Sequence, residues 1–213
     1  MENAIAIAFQ IAILVFSVVV HEVSHGYAAL ALGDKTAQYA GRLTLNPVKH
    51  LDPFGSILLP FFLTLLGGPV FGWAKPVPYN PYNLRNQKWG PAIVGAAGPA
   101  ANIFLALIFG GIVRFLPDAA LGSSAAFIVN FGTIAATIAL VNIFLAIFNL
   151  VPIPPLDGSK VLFSLLPWRL RNVQYFLEQY GFFLVLIFIF FFARLLLPLA
   201  LFFFHLVTGV YPF

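Results

Sequence analysis

Val20-His21-Glu22-Val23-Ser24-His25-Gly26 places two histidines and a glutamate inside one of the most apolar segments of the chain. The surrounding run extends from Ala4 to Leu32, and polar sequence resumes only at Asp34. Residues four apart share one face of a helix, so the two imidazoles can approach one metal ion. The spacing predicts a helical zinc site, with Glu22 beside it as a general base for a metal-bound water.

The composition indicates a membrane protein. Hydrophobic residues make up 61% of the 213 residues and charged residues only 8%, which is about a third of the charged share of a soluble domain. The chain has no cysteine, so a zinc ion must take histidine and carboxylate ligands. The net charge of +4 comes largely from short basic loops between apolar runs. Such loops are typical of membrane proteins, and we expect no nucleic-acid partner.

Four apolar runs are long enough to cross a bilayer, at residues 4–32, 91–116, 125–150 and 182 onward. The first has no basic residue ahead of it and exceeds the core of a signal peptide, so we interpret it as a retained membrane helix. The last is too long for one upright span and is interrupted by Arg194 and Pro198. A kinked helix, a tilted helix and a span followed by an interfacial segment all remain open for it.

The distribution of basic residues predicts the topology. Lysines and arginines follow the first span, precede the second and follow the third, whereas the loop between the second and third spans has only Arg114 and Asp118. The positive-inside rule places the three basic loops in the cytoplasm. All three basic loops can lie in the cytoplasm only if residues 54–71 enter and leave the membrane on the same side. We therefore predict a re-entrant element there.

Residues 71–79 alternate apolar with small or polar side chains and include two prolines. The pattern favours an edge strand or hairpin, and a proline-rich loop is an equally weighted alternative. An exposed strand edge can bind an extended peptide. The candidate substrate-binding residues are Gly72, Trp73, Ala74, Lys75, Pro76 and Val77.

A catalytic zinc usually has three protein ligands, so a third is needed here. Five of the seven acidic residues lie at predicted boundaries, surfaces, caps or the opposite loop, namely Glu2, Asp34, Asp52, Asp118 and Glu178. Asp157 remains, in a stretch where three prolines unwind the end of the third span. A plain Asp157-Gly158 turn is the alternative, but with the histidine motif present we favour a ligand.

The pairing of this motif with Asn149…Pro152…Leu156-Asp157-Gly158 resembles the site-2 protease family of intramembrane zinc metalloproteases. Gly98-Pro99-Ala100-Ala101-Asn102 in the second span is similar to the same family. Asn46-Pro47 with Asp52-Pro53-Phe54-Gly55, and residues 71–78, resemble its compact bacterial branch. The matching motifs extend from residue 21 to about residue 160.

The resemblance implies one zinc ion per chain, held by His21, His25 and Asp157, with Glu22 as base and proton shuttle. It also implies that Asn149 helps to stabilise the oxyanion and that Asn102 makes a supporting polar contact. The implied activity is hydrolysis of peptide bonds in or near transmembrane segments of membrane-protein substrates. The implied location is a bacterial inner membrane, with the active site toward the cytoplasm. Relatives often carry PDZ or CBS domains, and we expect neither here.

We therefore predict an all-α integral membrane protein, a bundle of about four to six transmembrane helices with a re-entrant segment and a short membrane-associated strand or hairpin. We expect one domain over residues 1–213, with its motif-bearing core at about 4–160 and a C-terminal helical segment at about 173–211. A membrane metal-ion transporter is the main alternative, with His50 and His205 as further stations along its path. A catalytically idle scaffold is a third possibility, disfavoured because the zinc ligands and base are intact.

Overall fold

The computed structural model describes residues 2–58, 61–62, 65, 73–116 and 126–210, and no strand occurs among them. The α-helices of these residues are α1 (Glu2–Ala31), α2 (Thr36–Tyr39), α3 (Gly90–Phe115), α4 (Ala126–Asn149), α5 (Gly158–Leu165), α6 (Arg171–Ile187) and α7 (Ala193–Thr208). Short 3-10 turns cover Pro47–His50, Pro81–Asn83 and Trp168–Leu170, and π-helical turns cover Pro53–Leu58 and Phe188–Phe192. The all-α prediction is confirmed.

Four helical stretches are long and apolar enough to cross a membrane: Ile5–Ala31, Gly90–Phe115, Asn130–Asn149 and Trp168–Phe192. The protein is thus an integral membrane helical bundle. The fourth stretch begins at Trp168, well before the predicted start at residue 182, because helix formation starts directly after Pro167 and includes the polar first turns of α6. The π-helical turn Phe188–Phe192 interrupts the C-terminal run just ahead of Arg194, and π-turns are an established cause of helix kinks.

Helix α3 is the centre of the bundle, since it packs against α1, α4, α5 and α7. Its glycines and alanines permit this, because small residues let membrane helices approach closely. One apolar cluster joins α3, α4 and α7 and consists of Ala106, Ala139, Ile143, Ala200 and Phe204. Large apolar side chains of α6 and of the first half of α1 are exposed, as contact with lipid requires.

Asp34 fastens the end of α1 to the connection that leads into α3. Its fully buried carboxylate accepts hydrogen bonds from Thr36 N, from Asn80 N at 2.7 Å and from Asn83 Nδ2 at 2.9 Å. Burial raises the pKa of Asp34, but these hydrogen bonds outweigh it and hold the pKa below its usual value. The end of α1 is therefore fixed relative to the start of α3.

The strand or hairpin predicted at residues 71–79 is wrong for residues 73–79, which are extended without a partner strand; residues 71–72 lie outside the described part. Three of the five N–H groups of residues 73–79 bond to three different elements. Trp73 N donates to Gly55 O, Lys75 N to His50 O and Val77 N to Glu22 Oε2. Because Pro76 and Pro78 have no N–H, no regular ladder forms.

The two ends of the predicted re-entrant element lie together, although most of residues 59–72 are outside the described part. Ser56 Oγ donates to Trp73 O at 2.7 Å, and the rings of Phe54 and Trp73 have centroids 6.0 Å apart. A complete crossing would separate these ends by about 30 Å. Residues 54–56 and Trp73 are therefore adjacent, as entry and exit on the same side of the membrane require.

Candidate metal centre

His21 and His25, one turn apart on α1, converge with Asp157 at the start of α5, and all three side chains are buried. The two Nε2 atoms are 3.1 Å apart, and each lies 3.0 Å from Asp157 Oδ2. Ligands of a tetrahedral zinc ion with bonds of about 2.0 Å are about 3.3 Å apart. The three atoms therefore surround one point at nearly the spacing that zinc imposes. Elsewhere in the described residues, no three histidine or acidic side chains converge in this way.

The hydrogen bonds of the two imidazoles show that this donor set fits a cation. His25 Nδ1 donates to Val94 O at 2.6 Å, and His21 Nδ1 donates to Asn102 Oδ1. Since carbonyl oxygens only accept, both Nδ1 atoms carry a proton, and in the neutral form of each ring the Nε2 atom presents its lone pair. Two lone pairs and a carboxylate oxygen then face one another with no hydrogen between them. A metal ion satisfies all three.

Asp157 has a second partner that leaves one oxygen for a metal. Lys160 Nζ donates to Asp157 Oδ1 at 2.8 Å, whereas Oδ2 faces the histidines. The neighbouring Gly158 is needed for packing, because a methyl group there would lie 2.2 Å from Leu150 O. Asp157-Gly158 is a turn that leads into α5, and it brings the Asp157 carboxylate to the two histidines.

Gly98 of α3 lies directly against the convergence point. A methyl group at residue 98 would lie 2.5 Å from His25 Nε2 and 2.6 Å from His21 Nε2. Such distances are far below van der Waals contact, so a side chain here would occupy the space between the imidazoles. Gly98 belongs to the Gly98-Pro99-Ala100-Ala101-Asn102 motif, which predicted no role for it. Its signal was the small residue followed by proline inside an otherwise regular span.

A chain of buried polar side chains continues from His21 into the bundle. Asn102 Nδ2 donates to Asn142 Oδ1 at 2.7 Å, and Asn142 Nδ2 donates to Ser17 Oγ at 2.9 Å and to Ile138 O at 2.8 Å. Asn102 and Asn142 are fully buried and Ser17 nearly so. The supporting contact predicted for Asn102 is therefore present in the structure. Asn142 and Ser17 were missed, although polar residues inside apolar spans often mark function.

The other candidate residues lie apart from this cluster. Glu22 Oε2 accepts from Val77 N at 2.9 Å, which places the candidate base against the extended segment 73–80. Asn149 Nδ2 donates to Leu145 O of its own helix at 3.0 Å, and no hydrogen bond in the described residues links it to the cluster. Buried His50 is held by Thr44 O in a loop, and His205 lies on α7. Gly72 lies outside the described residues.

The chain belongs to peptidase family M50. The profile of Peptidase family M50 matches residues 9–132 and 111–192. The chain is 38% identical to "Putative zinc metalloprotease YwhC" of Bacillus subtilis over 82% of its own length and 76% of that protein. It is 32% identical to "Putative zinc metalloprotease Rip2" of Mycolicibacterium smegmatis over 80% of its own length and 62% of that protein. No solved structure matches the chain significantly.

Proposed function

We propose that this protein is a zinc metalloendopeptidase that hydrolyses peptide bonds in or near transmembrane segments of membrane-protein substrates. The observation that carries the proposal is the convergence of His21 Nε2, His25 Nε2 and Asp157 Oδ2 inside a membrane helix bundle. Family membership and the printed names of the relatives support the same class of enzyme. The three side chains are the proposed ligands of one zinc ion per chain.

Zinc bound there would act as a Lewis acid and lower the pKa of a bound water toward about 7. Glu22 follows His21 directly and is the proposed general base. Its carboxylate takes the proton of the attacking water and returns it to the leaving nitrogen. Val77 N, which donates to Glu22 Oε2 at 2.9 Å, holds the carboxylate in one orientation. Asn149 is the proposed additional donor to the oxyanion, which requires its amide to leave Leu145 O.

Residues 72–77 are the proposed contact for an unwound substrate. Segment 73–77 is extended and meets the candidate base at Val77. Within the described residues, the carbonyls of Ala74 and Val77 accept no hydrogen bond, while Pro76 has no N–H to offer. The segment is therefore rich in acceptors, and the backbone N–H groups of an unwound substrate helix are the donors that it lacks. Arg42 Nη2 holds the segment in place by donating to Lys75 O at 2.6 Å.

The proposed location is a bacterial inner membrane, with the metal centre toward the cytoplasm. The basic loops on the metal side of the bundle support this orientation through the positive-inside rule. A metal-ion transporter receives less support. His50 is bound to a backbone carbonyl, and the described residues contain one three-residue cluster of metal-ligating side chains instead of a series along a path.

Zinc content and cleavage of a transmembrane reporter, measured on purified protein, test the proposal. The wild type should contain one zinc per chain and cleave the reporter. Glu22→Gln should keep the zinc, because the amide oxygen can still accept from Val77 N, and should lose cleavage by at least about 100-fold. Asp157→Ala should lose both zinc and cleavage, since it removes one of three ligands.

Glu178→Gln is the matched control, because Glu178 is exposed on α6 and hydrogen-bonds to Gln174. It should leave both zinc content and cleavage unchanged. Full cleavage by Glu22→Gln would overturn the assignment of the base. Metal transport by the wild type that survives Glu22→Gln, without any proteolysis, would replace the protease with the transporter.

A further inference from the structure

We propose that Asn142 on α4 is a positioning residue for the metal centre: it fixes the amide of Asn102, which in turn keeps the proton of His21 on Nδ1 and the lone pair of Nε2 toward the metal. This inference rests on the proposed zinc site, and it adds a residue of α4 that is not among the proposed ligands or the proposed substrate contacts. The direction of each hydrogen bond from α4 through α3 to α1 determines which nitrogen of His21 carries the proton.

The direction is set first at a backbone carbonyl. Ile138 O cannot donate, so the Asn142 side-chain atom 2.8 Å from it must be the amide nitrogen. The second hydrogen of that nitrogen is directed to Ser17 Oγ at 2.9 Å. The Asn142 amide is therefore fixed in one of its two orientations, with Oδ1 directed toward α3.

The orientation of Asn142 on α4 determines the orientation of Asn102 on α3, which in turn determines the proton position of His21 on α1. Asn142 Oδ1 is 2.7 Å from the Asn102 side chain, so the Asn102 atom facing it is the nitrogen. A second, longer contact of 3.4 Å from this nitrogen to Ser17 O agrees with that assignment. Asn102 Oδ1 then faces His21 Nδ1, which must donate. Each side chain has only one possible orientation, because its neighbour presents either a donor or an acceptor and not both.

Burial prevents water from replacing any of these hydrogen bonds. Asn102 and Asn142 have no exposed surface, and Ser17 is 4% exposed, so solvent is not in contact with either amide. If the Asn102 amide reversed, its oxygen would face Asn142 Oδ1, and two acceptors would oppose each other. His21 Nδ1 would then accept, the proton would move to Nε2, and the lone pair needed by a metal would be lost.

The two histidines differ in this respect. His25 Nδ1 donates to Val94 O, a main-chain carbonyl that no substitution can reverse. His21 depends on side chains for the same control. We infer that the zinc affinity of this protein is sensitive to substitution at residue 142.

Two substitutions of Asn142 separate positioning from packing. Asn142→Leu keeps the branching at Cγ and removes the acceptor for Asn102, so zinc affinity should fall by about 10-fold or more. Asn142→Asp, protonated because it is buried, keeps an oxygen facing Asn102 Nδ2 and offers its O–H to Ile138 O, so zinc affinity should stay within about 3-fold of wild type. Thr137→Val, one turn earlier on α4 and bonded to its own helix, is the matched control and should change nothing.

Zinc affinity would be measured by competition with a chelator, and thermal unfolding in detergent would be followed on the same samples. Protein labelled with ¹⁵N-histidine gives a direct reading, because the chain has four histidines and the zinc-loaded His21 should show a protonated Nδ1. A structural role alone predicts that zinc affinity follows the melting temperature. The proposal predicts that zinc affinity depends on whether the acceptor for Asn102 is kept. Asn142→Asp should therefore bind zinc more tightly than Asn142→Leu, even if its melting temperature is lower.

The proposal is overturned if Asn142→Leu binds zinc as tightly as wild type, or if the two variants lose affinity only in proportion to their loss of stability. Should either variant fail to fold, Ser17→Ala leaves the Ile138 and Asn102 contacts in place and must retain zinc affinity within about 3-fold. A wild type that binds no zinc would instead contradict the proposed function itself.

Discussion

Each half of α3 has a glycine that allows a neighbouring helix to approach closely, but the two glycines have different consequences. In the half near the metal centre, Gly98 lets α3 approach the imidazoles of α1. In the opposite half, Gly110 lets α3 approach α7, where a methyl group would lie 2.5 Å from Val207 Cγ1. Both glycines sit on contact faces of the central helix, and neither has a positive φ.

What differs is the neighbour that each missing side chain faces. Gly110 is opposed by a flexible aliphatic side chain, next to the apolar cluster around Ala106 and Phe204. Gly98 is opposed by the imidazoles of His21 and His25, whose Nε2 atoms converge with Asp157 Oδ2 on one point. A small residue at the far end allows two helices to pack, whereas a small residue at the metal end preserves a space for an ion. Substitutions along α3 can therefore separate bundle stability from metal binding.

The largest effect is expected for Gly98→Ala. The added methyl group would lie 2.5 Å from His25 Nε2 and 2.6 Å from His21 Nε2, which leaves no room for an ion at a Zn–N distance of about 2.0–2.1 Å, so it should exclude the ion without removing any ligand. Zinc per chain, measured by elemental analysis, should fall below about a tenth of wild type, and cleavage by at least about 100-fold. Full zinc occupancy in this variant would contradict the position of the metal between α1 and α3.

Asp34→Asn is expected to have the next largest effect, on stability at the metal end. Asp34 accepts hydrogen bonds from residues 36, 80 and 83, and an amide there would turn one acceptor into a donor facing other donors. We expect a loss of about 2 kcal/mol, because hydrogen bonds to a buried charged group are lost. Thermal unfolding in detergent at neutral pH measures it.

The pH dependence of the Asp34 effect has a defined sign. The pKa of Asp34 is lowered in the folded protein, so its stabilising contribution is complete above the ordinary aspartate pKa of about 3.9. The contribution is lost as the pH falls from there through the folded-state value. The difference in melting temperature between wild type and Asp34→Asn should thus be constant from neutral pH to about pH 5 and shrink below about pH 4. A difference that grows on acidification would contradict this role.

Gly110→Ala should give a smaller effect, confined to the far end. Its methyl group meets Val207, which must shift, and overpacking of this kind costs about 1–2 kcal/mol. The centre at His21, His25 and Asp157 should be unaffected, so zinc per chain should remain at the wild-type value. If zinc were lost in parallel with stability, the two halves of α3 would be coupled, and the distinction drawn between them would fail.

The sequence contained most of the fold and the proposed ligands. The apolar runs predicted the helical bundle, since length and hydropathy alone define a span. The four-residue spacing of His21 and His25 predicted a shared face, and the prolines before Asp157 predicted the unwound stretch that brings its carboxylate to them. Each of these inferences rests on a local pattern, and local patterns are what a single sequence contains.

Inter-helix contacts were beyond such patterns. The edge strand expected near Trp73 is absent because its N–H groups bind a helix side chain and loop carbonyls that lie far away in sequence. Asn142 carries no motif that we recognised, and its role depends on meeting Asn102 from another helix. Gly98 is one of many small residues in its span, and its role depends on the imidazoles of another helix that lie against it.

Gly111→Ala is expected to have the smallest effect, and it sharpens the measurement on its neighbour. No atom lies within 4 Å of where its methyl group would be, so no collision is added. Replacing glycine by alanine inside a helix stabilises it by about 0.5–1 kcal/mol, and the melting temperature should rise slightly with zinc content unchanged. Gly110→Ala carries the same helix-propensity gain, because the two residues are adjacent in α3. The difference between the two variants therefore isolates the collision with Val207, and equal melting temperatures would mean that α3 and α7 are not closely packed at this point.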